Sequence, residues 1–104
     1  MTYLVRRAYV VDPPVARSRE IEWLLESALA RVPDTERASV FAELGDDTLK
    51  GIVIEVAVEA SDAATASRTG RVAIRSELRR LGVSAWNLRL ADGLTSEAPS
   101  STGG

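Results

Sequence analysis

Four arginines, Arg68, Arg71, Arg75 and Arg79, recur at intervals of three, four and four. On a helix that spacing sets four guanidinium groups along one narrow stripe, opposite the apolar side. Such a row can bind the phosphates of a nucleic acid. It can equally pair with carboxylates, those of Glu22 and Glu26 in the same chain or those of a partner, or stand solvated. The chain carries a formal net charge of −2, so no global field draws it to nucleic acid or to an anionic membrane, and nucleic acid is the disfavoured partner. Lys50 is the only lysine among 13 basic residues. Arginine in place of lysine is what a GC-rich genome produces, and it points to a bacterial or phage source.

Other chemistry is sparse. The chain has neither Cys nor His, which removes disulfides, thiolates, the usual zinc ligand sets and every His-based acid/base or triad mechanism. Asp46 and Asp47 are adjacent carboxylates, able in principle to hold a divalent cation, but no spaced ligand set accompanies them and a solvated turn fits better. No phosphate-binding loop or nucleophile elbow is present. No metal or cofactor is implied, and the chain reads as more nearly a non-enzyme than an enzyme, with carboxylate catalysis left open. The final Gly103-Gly104 resembles the end of ubiquitin-like modifiers over two residues only, and reads as tail.

The elements that must position these residues follow from period. Thr2–Val11 is rich in Tyr and Val and reads as a strand. Tyr3, Val5, Tyr9 and Val11 share one face with Arg7, while Arg6 falls on the other with Leu4, Ala8 and Val10. One arginine must therefore lie on the more apolar side with its stem packed and its head in water. Asp12-Pro13-Pro14 ends that strand. A helix follows over Ser18–Val32, capped by Asp12 or Ser18, with Ile21, Leu24, Leu25, Ala28, Leu29 and Val32 inward, and Pro33 closes it. Trp23 lies off that face, either folded over a core edge, the preferred reading, or exposed as an anchor. Ala38–Leu44 and Ile52–Ala60 alternate with period two around Gly45-Asp46-Asp47, a hairpin.

The period then changes to 3.6. Ser61 or Asp62 can cap a helix that buries Ala63, Ala66, Gly70, Ala73, Ile74, Leu78 and Leu81 and stops at Gly82. Gly70 on the buried side implies a close approach by a neighbouring element, because it costs about 1 kcal/mol of helix propensity relative to Ala. Val83–Ala91 reads as the last strand, with Ser84, Trp86, Leu88 and Leu90 on one face and Asn87 and Arg89 on the other. Residues 93–104 are small and polar and read as a disordered tail.

At 104 residues the chain suits one domain, here residues 1–92. Its element order is strand–helix–strand twice over. That βαββαβ order resembles the ferredoxin-like fold, which implies an α+β domain with a four-stranded antiparallel sheet and both helices on one face. The opposite face is then open. It offers Phe41, Val53 and Ala57 among Glu43, Glu55 and Glu59, with Arg89 on the last strand. RNA-binding domains of this architecture need aromatic platforms and basic side chains there; Glu55 and Glu59 argue against RNA. An apolar centre rimmed with charge suits a homo-oligomer or a protein partner. The reading is a small self-association or protein-interaction module, an accessory or structural component of a bacterial or phage assembly. The alternatives are a nucleic-acid binder using the arginine row, and a small ligand-binding or lyase-like enzyme of the dimeric ferredoxin-like kind with a polar cavity beneath its helices. No apolar run is long enough to span a bilayer, and the N-terminus lacks the order of a secretory signal, so no membrane association and a cytoplasmic location are expected.

Overall fold

The computed structural model describes residues 1–16, 21–45, 48–80 and 88–97, with side chains described for all but 13–16, 21 and 44. The elements are β1 (Thr2–Ala16), α1 (Ile21–Ala30), β2 (Thr35–Gly45), β3 (Thr48–Glu59), α2 (Ala63–Arg80) and β4 (Leu88–Glu97). They form an α+β fold, with one four-stranded antiparallel sheet and two helices. The strand order is β2-β3-β1-β4, so β3 and β1 are central and β2 and β4 are edges.

Register decides which side chains meet. Directly opposed residues on neighbouring strands share a face. Val5 opposes Val56, Arg7 opposes Ile54, and Tyr9 opposes Ile52; Val40 in turn opposes Ile54. Tyr3, Val5, Tyr9 and Val11 therefore lie on one face with Ile52, Ile54, Val56 and Val58. They are buried in a single core together with Leu25 and Leu29 of α1 and Ala66, Ile74 and Leu78 of α2. The long alternation from Ile52 onward produces this face directly.

Three boundaries differ from expectation, each for a backbone reason. First, Pro13-Pro14 does not end the first strand. Pairing between β1 and β3 passes from Val10↔Gly51 to Val15↔Leu49, so the prolines sit in a stretch opposed on β3 by Lys50 alone. A residue without an N–H interrupts a ladder locally; here the strand resumes beyond it. Second, β3 begins at Thr48, before Ile52. Its pairing with β2 also shifts, between Glu43 and Leu44, which makes Lys50 an extra residue. Leu49 and Ile52 are both buried as a result, and an alternation of period two cannot be traced back across that bulge.

Third, the last strand, Leu88–Glu97 as described, runs past the expected end at Ala91, while residues 83–87 of the expected Val83–Ala91 lie outside the described residues. Residues 93–97, expected in the tail, instead pair with β1 from Arg7↔Gly93 to Tyr3↔Glu97. What holds them is the hydrogen-bond ladder and not burial, since most of β4 is exposed. The register shifts between Ala8↔Asp92 and Tyr9↔Leu90, leaving Ala91 as the extra residue. Residues 98–104, including Gly103-Gly104, lie outside the described residues, as do Asp46, Asp47, Leu81, Gly82, Ser84, Trp86 and Asn87.

Helix α1 is described from Ile21, and Ser18 lies outside the described residues. The hydroxyl of Thr35 donates to the carbonyls of Leu29 and Val32 and so satisfies helix-end acceptors. Asp34 takes the left-handed conformation, φ 70°, which Asp tolerates better than most residues. Trp23 does not fold over the core edge; it is 64% exposed beside a groove that also involves Ala28, Arg31 and Glu77.

Helix α2 begins where Asp62 accepts the backbone N–H of Thr65 at 2.7 Å, the expected cap. Ala63 is exposed and not inward. Gly70 is buried against β1: a Cβ there would stand 2.8–3.0 Å from the branched carbons of Val5. That is the close approach its position in the sequence implies, and the neighbour is the sheet.

Gly70→Ala gains about 1 kcal/mol of helix propensity against an overpacking cost of about 1–3 kcal/mol, so a net loss is expected by denaturant unfolding, deeper for Gly70→Leu. Adding Val5→Ala to Gly70→Ala should recover part of it; equal stability of Gly70→Ala and wild type would refute the contact. The backbone N–H of Thr65, then its hydroxyl, hold the Asp62 carboxyl below its ordinary value of 3.8. Its contribution is therefore present above that pH and lost as pH falls. Asp62→Ala should lower the melting temperature at neutral pH, with the gap to wild type closing in acid.

Candidate functional site

The four arginines of the row are exposed on α2, and three of them border a concavity of the sheet edge. Arg71, Arg75 and Arg79 line one side of a cleft of about 240 Å³ between α2 and the β1–β4 pair, with Arg7, Tyr9, Leu88 and Leu90 on the other. The sheet places the second group. Arg7 occupies the odd positions of β1 with Val5 and Tyr9, so it projects toward the helices. Leu90 opposes Tyr9 and Leu88 opposes Val11, so they reach the same side from the edge strand. Gly93 opposes Arg7, and a Cβ at Gly93 would come within 2.7 Å of Arg7 Nη1; a side chain there would crowd the guanidinium.

Arg7 crosses the cleft floor. Its Nη2 donates to Ser67 Oγ of α2 at 3.1 Å, while its Nε is buried without a hydrogen-bond partner. A buried donor left unmade is costly. Burial raises the Tyr9 phenol above its ordinary value of 10.0, and the neighbouring Arg7, Arg75 and Arg71 pull it partly back. The cleft is thus a concentrated positive field on a chain of net charge −2. Among the described residues, the side-chain ion pairs are Arg6–Asp92 and Arg80–Glu77; neither involves a cleft arginine. Glu26, a candidate counter-charge, instead accepts the Val40 backbone N–H of edge strand β2 at 3.1 Å.

Sequence reasoning placed Arg68 with the row. The structure sets it apart: Arg68 lines a different groove, with Val32, Val72 and Glu77. The residue it missed is Arg7. Its signal was present, an arginine in phase with Tyr3, Val5, Tyr9 and Val11, but nothing in one sequence says which helix face will meet it. Glu77 was missed too. It is 8% exposed on α2 and accepts from Arg80 one turn on, at 3.2 Å.

The open sheet face carries the second set of candidates. Phe41 of β2 opposes Val53, and Val53 opposes Ala8 of β1; Glu55 opposes Arg6, and Ala57 opposes Leu4. Arg89 opposes Val10 from β4, so β1 separates it from the β3 candidates. Glu59, at the end of β3, binds the N-terminal ammonium and accepts the Thr2 hydroxyl at 2.9 Å. The ammonium, then Thr2, hold its carboxyl below the ordinary value, and the side chain remains half exposed. Phe41 and Leu94 stand 65% and 57% exposed on this face. Among the described residues no helix is long and apolar enough to cross a membrane, and no three acidic side chains gather as metal ligands.

Because the Tyr9 phenol is raised, its neutral form is favoured by folding. The stabilisation is complete below the ordinary value of 10.0 and is lost as pH rises through the folded value. Ultraviolet titration of a Tyr3→Phe background should show Tyr9 ionising late, and Arg75→Gln should delay it further. Ionisation at the ordinary value would remove Tyr9 from the cleft wall.

Compared with known proteins, the chain matches no family model, no curated protein and no solved structure.

Proposed function

We propose that this chain is a non-enzymatic self-association module of ferredoxin-like topology, pairing through its open sheet face with a second copy of itself. The topology is supported by the βαββαβ element order, the central β1–β3 pair and the common core that joins both helices to one side of the sheet. The observation that carries the function is the uncovered apolar pair, Phe41 and Leu94, on opposite edge strands of a face lined between them by Leu4, Ala8, Val53 and Ala57.

The charges of this face favour a copy as the partner. Arg6 opposes Glu55 and pairs with Asp92, Arg89 shares a row with Glu43 across Val10 and Gly51, and Arg37 stands opposite Ala57, so basic and acidic side chains are interspersed over the face. A balanced mixture of that kind is self-complementary under a two-fold axis, where residue i meets j and j meets i. Burying Phe41 would supply the aromatic anchor typical of such interfaces. The edge strands are less available, because Glu26 already satisfies one outward N–H of β2.

Sedimentation velocity should find a dimer for the wild type. Phe41→Asp with Leu94→Asp should sediment as a monomer that keeps the wild-type circular dichroism, since both side chains are mainly exposed, and its melting temperature should no longer depend on protein concentration as that of the wild-type dimer does. A monomeric wild type, or a dimer that survives both changes, would overturn the reading.

A further inference from the structure

The cleft of Arg7, Arg71, Arg75 and Arg79 lies on the far side of the sheet from the face proposed for self-association, and its chemistry is of another kind. We infer that it is a binding site for a small, multiply charged oxyanion: a phosphate monoester or a diphosphate.

Cost is the first argument. A guanidinium cannot shed its proton at any ordinary pH, so four of them around one concavity repel one another unless an anion enters. The chain does not provide that anion from the described residues. Arg6 and Arg80, on the same two elements, each have a carboxylate within 3.2 Å; the cleft arginines have none in the described part of the chain. The stretch from Leu81 to Asn87, which precedes Leu88 at the cleft wall, contains no acidic residue. Arg7 also keeps a buried Nε without a partner, although Ser67 holds its Nη2. The cleft thus gathers four guanidinium groups, one of them held by Ser67 with its buried N–H unmet.

Size and lining choose among anions. About 240 Å³ holds roughly eight water-sized groups, which suits a small molecule and not a duplex or a protein loop. A phosphate monoester brings nearly two charges and three acceptor oxygens, and guanidinium groups grip phosphate through paired N–H bonds. A single carboxylate would neutralise the cleft less well. Tyr9 adds a phenolic O–H that stays protonated below its raised pKa. Leu88 and Leu90 supply an apolar wall on the sheet side, where the organic part of a monoester would rest.

The test is calorimetric titration of the full chain with inorganic phosphate, pyrophosphate and phenyl phosphate, each against sodium chloride of equal ionic strength. Saturable binding of at least one probe is expected, weakening with salt. Phenyl phosphate binding tighter than inorganic phosphate would assign the monoester, and pyrophosphate binding tightest would assign the diphosphate. Arg71→Gln and Arg75→Gln, both exposed and so without effect on folding, should each weaken binding by about tenfold or more, the worth of a charged hydrogen bond. Arg68→Gln, on the same helix but outside the cleft, should leave it unchanged. Equal loss in Arg68→Gln would reduce the effect to diffuse helix charge and overturn the site. So would no binding beyond the salt control, or a short oligonucleotide binding tighter than every small probe through Arg75.

Discussion

The contact between Gly70 and Val5 governs how the rest of the molecule is arranged. A helix normally rests on a sheet at a distance set by side chains from both. At Gly70 one of those side chains is missing, and the α2 backbone comes down onto the branched carbons of Val5. Two consequences follow from that proximity. Ala66, Ile74 and Leu78 reach the core on either side of the contact, and Arg71, Arg75 and Arg79, though exposed, are brought close enough to β1 and β4 to line a cleft with them. A larger residue at position 70 would lift the helix, open the cleft and loosen the core together.

The two faces of the sheet solve different problems with the same strands. On the helix side, mostly aliphatic residues fill the space with Tyr3, Tyr9 and Arg7 among them, the last two meeting at the cleft. Arg7 shows how a charge is tolerated there. Its stem runs past buried neighbours while its head reaches Ser67 and the cleft, as a long basic side chain can do at a boundary. On the open side, apolar and charged residues alternate across strands and few are fully buried. That face excludes water poorly in the monomer, and it gains most from being covered.

What the sequence made legible was whatever depended on unbroken local period. The strand from Ile52, the helix from Ala63, the Asp62 cap and the buried glycine could all be read residue by residue, because each is set by alternation, by 3.6-residue spacing or by the chemistry of one side chain. What escaped were features set by pairing. Pro13-Pro14 looked like a stop, because a single strand cannot show that its neighbour will accommodate a break. Residues 93–97 looked like tail, because an edge strand held by its ladder needs no apolar content. The cleft escaped for the same reason: the three arginines that form it are visible as a stripe, but their partner Arg7 is 64 residues away from Arg71 and joins them only through strand register. Trp23 ran against a sound general tendency, and its exposure has no explanation in the chain itself.

The bulge at Ala91 has a meaning for how this chain can vary. On one side of it the odd-numbered residues Gly93 and Thr95 share the face of Arg7 and Val5; on the other, the even-numbered Leu88 and Leu90 do. Ala91 thus acts as a parity switch in the edge strand. Leu90 and Asp92 already oppose consecutive residues of β1, Tyr9 and Ala8, so losing that one alanine would close the bulge into a regular ladder with the leucine wall and the glycine that leaves room for Arg7 both still on the helix side. Losing a paired residue instead, such as Arg89 or Leu94, would turn one half of the strand to the opposite face. Ala91 is therefore the position in β4 whose loss the register tolerates best, and it is the residues paired on either side of it whose number natural variation in this strand must preserve.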